Sequence, residues 1–383
     1  MSETEKHREK PKLKHDREKE EFDTYEPETL EYDADKINVT LWQPTIYQIL
    51  RRIDQNILDL APDFQRHSDI WDPGVKSRMI ESILIRIPLP AFYIDATNEK
   101  NWVIVDGLQR LTALKQFCDN KLKLKGLEYL KELDGKTFNE IDLIYQSRIE
   151  DHQITVYRIE KGTPYQVRYN IFHRINTGGE HLTYQEIRHV LNPGAAPKLL
   201  KDMANNQDFR DTTKLGDTRI KRMEDREFVL RFFAFKLTSY REYKGGLRIF
   251  LDEAMFKLNQ LYKKDRNRFE ELKIEFEEVM KAAKEIFGLY AFRKPLLPLV
   301  GKPTAKNQPN RALFEIWSVI LSTRDKTEID VLKNRRDELI NRFNNLKKNK
   351  EFMDSISISQ GQVEQVRYRF RTIETLIKEV LND

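Results

Sequence analysis

Apolar residues recur at helical spacing in two segments of the first hundred residues. The first segment begins at Ile46, and the second follows Asp72-Pro73, where the aspartate can cap a helix and the proline can occupy its first turn. The two apolar stripes consist of Ile46, Ile49, Leu50 and Ile53, and of Val75, Met79, Ile80, Ile83 and Leu84. We therefore predict two amphipathic helices, the second of which ends before Pro88.

Short segments rich in β-branched and aromatic residues follow these helices. Two strands are predicted at 91–94 and 102–105, and a third at 153–159. The strand at 102–105 runs directly into Asp106 and Gly107, after which apolar positions return at helical spacing. The chain is thus expected to pass from a strand through a glycine turn into a helix.

Sequence signals for helix ends predict the structure of residues 165–194. A helix is predicted from Tyr165 to Ile175, and Asn176–Gly179 should close it because Asn and Gly accept the left-handed conformation. Thr183 and Glu186 have capping-box spacing and should open the next helix. Asn192-Pro193-Gly194 then interrupts the pattern, so we place a domain boundary there.

Beyond residue 193 the pattern is helical almost throughout. A long stripe is formed by Phe269, Leu272, Phe276, Val279, Ala283 and Ile286. The stripe spans only about two heptads, too few for a coiled coil, and therefore predicts an ordinary packed helix. A closing helix is expected from Glu364 to Leu381. The predicted fold class is α+β, with an α+β domain at residues 37–192 followed by a mainly α-helical domain at 193–383.

Composition changes this picture mainly at the N-terminus. Residues 1–36 are almost entirely charged or polar, which predicts a disordered tail. The 67 basic and 62 acidic side chains leave a net charge of +5, too small to identify a nucleic-acid-binding domain. The sequence contains no secretory signal and no apolar run long enough to span a membrane, and Cys118 is its only cysteine. We expect a cytoplasmic protein without disulfides, membrane contact or a cysteine zinc site.

The segment from Asp106 to Arg110 has the most specific chemical pattern. A helix that begins directly after a strand and a glycine directs unused N–H groups outward, and its dipole favours an anion there. Gly107 allows close backbone approach, and Arg110 could bind phosphate oxygens through its guanidinium. Asp106 could cap the helix, accept a hydrogen bond from Arg110 or hold a Mg²⁺ ion that bridges to phosphates, while Gln109 could orient water. The alternative is purely structural, with Asp106 as a cap that pairs with Arg110.

Two further arginines lie beside turns. Gln65 and Arg66 follow Pro62, and Arg174 precedes Asn176. If Arg66 and Arg174 converged on the segment described above, the three guanidiniums would form an anion site. The sequence alone does not show whether they converge.

Other residues of chemical interest have simpler explanations. We expect His173 to be a surface or interhelix histidine, Glu186 a helix cap and Arg188 a surface charge. All seven histidines lie at or before His189, which excludes a histidine-type nuclease from the helical half. The sequence also lacks a G-x-x-x-x-G-K-[ST] phosphate loop, so it does not indicate a Walker-type NTPase.

These segments, in this order, resemble the N-terminal domain family of GmrSD-type restriction proteins, which is related to ParB and sulfiredoxin. The resemblance spans about residues 37–191, with a weaker likeness at Arg226–Phe232. The matching motifs are Pro62–Arg66, Trp71, Lys76-Ser77, Ile80–Leu84, Ile87–Pro90, Val105–Leu114, Phe172–Gly179, Leu182-Thr183 and Glu186–Arg188. One departure is Leu108, which stands where the family usually has glutamine.

The resemblance implies a ParB/sulfiredoxin-like α+β domain whose Asp-Gly-Gln-Gln-Arg motif binds and hydrolyses a nucleotide. Carried over, Asp106, Gly107, Gln109 and Arg110 belong to the nucleotide site. The further contacts we expect are Gln65, Arg66, Leu108, Arg174 and Asn176. A nucleoside triphosphate would be the ligand and Mg²⁺ or another divalent ion the cofactor, with Asp106 as its ligand. Leu108 could weaken hydrolysis or leave binding alone.

Three functions are compatible with the sequence. The first is a nucleotide-binding, NTP-hydrolysing subunit of an anti-phage restriction system. This subunit would control a partner nuclease and bind DNA. The second is a ParB-like DNA nuclease that uses the same pocket. The third is a non-catalytic DNA-binding or scaffold protein. An oligomer is compatible with each of them.

Overall fold

The computed structural model describes residues 34–60, 71–175, 182–294, 308–358 and 361–382. The predicted tail of residues 1–36 lies outside the described residues except for a short 3-10 turn at Ala34–Lys36. In the described part, no helix is both long enough and apolar enough to cross a membrane.

The first half of the chain combines a small sheet with six helices in its described part. The strands are β1 Val39–Trp42, β2 Leu58–Asp59, β3 Phe92–Asp95, β4 Trp102–Asp106 and β5 Val156–Ile159. The helices are α1 Ile46–Asp54, α2 Pro73–Leu84, α3 Leu108–Cys118, α4 Leu143–Glu150, α5 Tyr165–Ile175 and α6 Tyr184–Leu191. The predicted α+β class is therefore confirmed.

The five strands form one mixed sheet in the order β1-β5-β3-β4-β2. β1 pairs antiparallel with β5, which runs parallel to β3. β4 pairs antiparallel with β3 and parallel with β2. The central pair β3 and β4 therefore brings the start of β3 beside the end of β4, where Tyr93 faces Asp106.

Apolar side chains cover both faces of the sheet. On one face Phe92, Ile94 and Ile104 pack with buried residues of α1, α2, α3 and α4. On the other face Val105 and Ile159 pack with buried residues of α5 and α6. Alternation along each strand sends successive side chains to opposite faces, so β3 and β4 are enclosed between two helical layers.

The second half is helical throughout its described part. Its α-helices are α7 Ala195–Ala204, α8 Gln207–Thr213, α9 Asp217–Lys221, α10 Glu224–Leu237, α11 Leu247–Lys264, α12 Arg266–Phe287, α13 Arg311–Leu321, α14 Lys326–Asn334, α15 Arg336–Leu346, α16 Lys350–Ser355 and α17 Val363–Asn382. One large apolar cluster draws its members from residue 196 onward, whereas the clusters on the sheet draw theirs almost wholly from residues up to 191. The apolar clusters thus change at the position where the sequence predicts a domain boundary.

Helix starts follow the capping signals in the sequence. The Asp72 side chain accepts a hydrogen bond from Gly74 N at 2.6 Å with Pro73 in the first turn, and Thr183 and Glu186 form the predicted capping box. The apolar stripe of α12 is buried as predicted. In α2 one member of the predicted stripe, Val75, is 38% exposed, because the other face of that turn packs inward through Lys76 and Ser77.

The expectation that Arg188 is a surface charge is wrong. Its side chain is almost completely buried, and its Nε donates to Asp252 Oδ1 of α11 at 2.6 Å while Nη1 donates to Gln185 Oε1. The sequence did not reveal this because the partner lies 64 residues away. Arg188 therefore joins α6 to the helical half of the chain.

A buried carboxylate fixes α2 to the loop that follows α3. Glu81 is 3% exposed, and its two oxygens accept hydrogen bonds from the backbone N–H groups of Glu128, Tyr129 and Leu130 at 3.0, 2.7 and 2.8 Å. Burial opposes ionisation, but the three donors outweigh it and lower the pKa of Glu81. The charged form of Glu81 is therefore the one that the fold stabilises.

We predict that Glu81→Ala lowers the free energy of unfolding by about 3 kcal/mol, since it leaves three backbone donors without an acceptor. The depressed pKa means that this stabilisation is present above the ordinary value of 4.5 and is lost as pH falls through the folded-state pKa. Urea denaturation at pH 7 and pH 3 measures both effects. The exposed Glu128→Ala is the control, and an equal loss in both variants at pH 7 would contradict the prediction.

Candidate functional site

The junction between β4 and α3 depends on a glycine in the left-handed conformation. Gly107 has φ 101° and occupies the N-cap position of α3, which has no side-chain cap. A Cβ at this position would lie 2.3 Å from Cδ1 of Phe92. Both the backbone angle and the contact with Phe92 therefore require glycine, and the helix starts with its first N–H groups unused by a capping side chain.

The buried side chain of Arg110 holds this junction together through hydrogen bonds. Its guanidinium donates to the carbonyl oxygens of Pro90 and Ala91, the latter at 3.1 Å, and to Asp106 Oδ2 at 2.9 Å. The Cζ atom lies 4.3 Å from the ring centroid of Phe92. Arg110 is only 9% exposed, so it ties the end of β4 to the segment that leads into β3.

Of the three roles considered for Asp106, the structure contains the hydrogen bond from Arg110. Asp106 does not cap α3. The N-cap residue is Gly107, and no side chain accepts a capping hydrogen bond there. Burial lowers the pKa of the Arg110 guanidinium, and the Asp106 carboxylate opposes that effect. The pairing left open by the sequence as a structural alternative is thus present in the fold.

Leu108 and Gln109 occupy the first turn of α3 in different environments. Leu108 is 8% exposed and belongs to the apolar cluster on the α1–α4 face of the sheet. Gln109 is half-buried. The first turn therefore presents one amide side chain and the backbone N–H groups, while the leucine contributes to the core.

The other predicted contacts are only partly described. Gln65, Arg66 and Asn176 lie outside the described residues. Arg174 is exposed in the last turn of α5, and no hydrogen bond or ion pair within the described part joins it to Asp106 or Arg110. Convergence of the three arginines thus stays a prediction.

The donor set at the junction does not fit a metal site built from protein side chains alone. Asp106 supplies a carboxylate, and one of its oxygens already accepts from Arg110. Across the described residues no group of three or more histidine, cysteine, aspartate or glutamate side chains could hold an ion. Mg²⁺ usually binds through one or two carboxylates together with substrate phosphates, so a divalent ion here would depend on a bound nucleotide.

Sequence reasoning missed a buried ion pair at the other end of β3. Asp95 at the end of β3 is 4% exposed and accepts from Arg168 Nε at 2.9 Å and from Nη2 at 2.5 Å. This pair fixes α5 to the sheet. Alternation along β3 could have placed Asp95 on that face, but its partner 73 residues away leaves no local signal.

Thiol chemistry is not supported at α3. Cys118 ends the helix, and burial raises the pKa of its thiol to about 12, with further contributions from nearby carboxylates. A thiol with so high a pKa is almost fully protonated at neutral pH and is a poor nucleophile. Cys118 is therefore not a candidate for nucleophilic chemistry.

Residues 46–191 match the family model of the GmrSD restriction endonuclease, N-terminal domain. The match begins with the first residue of α1 and ends with the last residue of α6, so it covers the site and the strands β2 to β5, whereas β1 precedes it. This part of the chain is therefore similar to the N-terminal domain of GmrSD restriction endonucleases. No curated protein and no solved structure matches the chain.

We predict that Gly107→Ala lowers the free energy of unfolding by about 2–4 kcal/mol, because it adds backbone strain and a clash with Phe92. The matched control is Gly126→Ala. Gly126 also has a positive φ, 68°, but a Cβ there meets nothing within 4 Å, so its cost should be about 1 kcal/mol. Thermal denaturation compares the two. Equal losses would show that the Phe92 contact is not decisive.

Proposed function

We propose that the chain is a nucleotide-binding component of a GmrSD-type restriction system. The nucleotide phosphates would bind at the first turn of α3, within a ParB/sulfiredoxin-like domain. The observation that carries the proposal is the junction itself, a β-strand followed by a left-handed glycine and a helix without a side-chain cap. The family match over residues 46–191 supports a role in restriction.

Backbone groups supply the proposed phosphate cradle. The first intrahelical bond of α3 runs from Leu111 N to Gly107 O at 2.9 Å, so the N–H groups of Leu108 and Arg110 are not used within the helix. The helix dipole adds partial positive charge at the same place. A phosphate oxygen is the kind of acceptor that this arrangement favours.

Arg110 would act as a positioning residue in this proposal. Its three hydrogen bonds and its contact with Phe92 leave it little freedom to reach a ligand directly. By holding Asp106 beside Gly107, it fixes the angle at which α3 leaves the sheet. Because Asp106 already balances the charge of this guanidinium, Arg110 contributes to the geometry of the turn.

Hydrolysis requires two further groups in this proposal. Gln109 would orient the attacking water, and Asp106 would hold a divalent ion that arrives with the triphosphate. Leu108 stands where the family usually has glutamine, and its side chain lies in the core. We therefore propose nucleotide binding as the main activity, with hydrolysis reduced or absent.

A partner nuclease completes the proposed system. Residues 190–383 contain no histidine, so a histidine-type nuclease centre is not part of this segment. The nucleotide-bound domain would then control cleavage of DNA by another subunit. The buried contact between Arg188 of α6 and Asp252 of α11 offers a rigid connection between the nucleotide domain and the helical half.

We predict that Gln109→Glu weakens nucleotide binding by at least about tenfold without loss of stability. A carboxylate in the first turn repels phosphate, while the same charge is favourable for the helix dipole. Isothermal titration calorimetry of the full chain with a panel of nucleoside triphosphates and Mg²⁺ measures the effect. The matched control is Gln48→Glu, the same change in the first turn of α1.

Three outcomes would contradict the proposal. They are equal affinity in Gln109→Glu and the parent, an equal loss in Gln48→Glu, and the absence of binding by any nucleotide. Cutting of plasmid DNA by the protein alone, dependent on Mg²⁺ and lost in Gln109→Glu, would favour the nuclease alternative. Salt-sensitive DNA retention without a nucleotide effect would favour the non-catalytic alternative.

A further inference from the structure

Four side chains from separate elements form a cluster at the start of β4. Trp42 of β1 and Trp102 of β4 meet edge to face with ring centroids 5.7 Å apart. Arg52 of α1 lies over both rings, with its Cζ 5.0 and 4.5 Å from their centroids. Arg158 of β5 lies 5.3 and 5.6 Å from the same two rings. We call these four residues the Trp–Arg cluster.

The positive charge of the cluster is only partly balanced. Arg158 pairs with Glu160 at 2.8 Å and donates to Thr40 Oγ1 at 3.4 Å. The Arg52 guanidinium makes no hydrogen bond or ion pair within the described part of the chain, so its contacts there are with the two indole rings. Burial and the positive charge of Arg158 both lower the pKa of Arg52. Two guanidiniums therefore lie over the same rings, and a carboxylate pairs with only one of them.

The cluster also contains donors that lack an acceptor. Trp102 is 7% exposed, and its Nε1 is buried without a hydrogen-bond partner among the described residues. The Nε atom of Arg158 is also buried and also lacks a hydrogen-bond partner among the described residues. Buried N–H groups ordinarily find an acceptor, so unsatisfied donors beside an unpaired guanidinium indicate a place for one. Trp42 and Arg52 are only half-buried, which leaves the cluster reachable from solvent.

We propose that the Trp–Arg cluster binds a phosphate group. A phosphate supplies the missing negative charge and several acceptor oxygens at once, and guanidiniums recognise it with directed hydrogen bonds. The indole rings hold the guanidiniums in place through cation–π contacts and leave their N–H edges open. The phosphate can come from a nucleotide or from a nucleic-acid backbone.

This site is separate from the proposed nucleotide site. Trp102 begins β4 and Asp106 ends it, so the two sites lie at opposite ends of one strand, roughly 13 Å apart along the backbone. Arg52 and Arg158 have no hydrogen bond to the Asp106–Arg110 junction among the described residues. The inference therefore does not depend on the function proposed for α3.

Isothermal titration calorimetry with the full chain tests the proposal. All proteins in this experiment, including the one called the parent here, carry Gln109→Glu, so that binding at α3 is weakened. The probes are inorganic pyrophosphate, ATP and a short single-stranded oligonucleotide. In this parent, Arg52→Gln should weaken binding by at least about tenfold, since it removes a charged donor. Trp102→Phe keeps an aromatic ring but removes the Nε1 donor, and should also weaken binding.

The matched control is Arg51→Gln, because Arg51 is the exposed neighbour of Arg52 on the same helix. Binding of pyrophosphate or ATP that is lost in Arg52→Gln but kept in Arg51→Gln supports the site with a small phosphate ligand. The same pattern with the oligonucleotide alone supports it with a nucleic-acid backbone. The proposal is overturned if no probe binds the parent, if both arginine variants weaken binding equally, or if Arg52→Gln lowers only the melting temperature.

Discussion

The buried guanidinium of Arg110 is the constraint on which the N-terminal domain depends. It connects the end of β4 to Pro90 and Ala91, which precede β3, and it lies on the Phe92 ring. These contacts fix the place where the two central strands meet. Phe92 occupies the space below Gly107, so the chain can turn into α3 only with a residue that lacks a Cβ. The direction of α3, and with it the direction of its first N–H groups, follows from this arrangement.

An arginine used in this way changes how the motif should be understood. A guanidinium in the first turn of a helix is unfavourable for the dipole, and the sequence therefore suggested an acidic partner or a ligand. The fold supplies the partner in Asp106 and two carbonyl groups. The anion-attracting character of the junction then comes mainly from the backbone. Arg110 is thus the residue of the motif that builds the turn.

Local signals in the sequence predicted much of the fold. The cap at Asp72, the capping box at Thr183, the strands of the central hairpin and the helix at 165–175 all occur as expected. Each depends on residues within a few positions of one another, where spacing determines geometry. The strands β1 and β2 were not predicted. β2 has only two residues, too few for a periodic pattern, and none of the four residues of β1 is buried.

Long-range charge pairs could not be predicted in the same way. Arg188, Arg168 and the Trp–Arg cluster each join residues that are distant in the sequence. The helical half has a similar feature, since Glu315 is fully buried and accepts from Arg369 and from Arg231. Burying such groups costs desolvation energy that only well-placed partners offset. Their positions are therefore visible only after the chain is folded.

The distribution of positive charge explains why the composition revealed so little about binding. A net charge of +5 is spread over many paired side chains, and most buried arginines have carboxylate partners within the fold. Arg52 differs because aromatic rings surround it where a carboxylate would usually stand. What attracts an anion is a local imbalance of this kind, since a guanidinium already paired has little of its charge left to offer. Buried donors and charges that the fold leaves unmatched are therefore a better guide to an anion site in such a chain than its net charge.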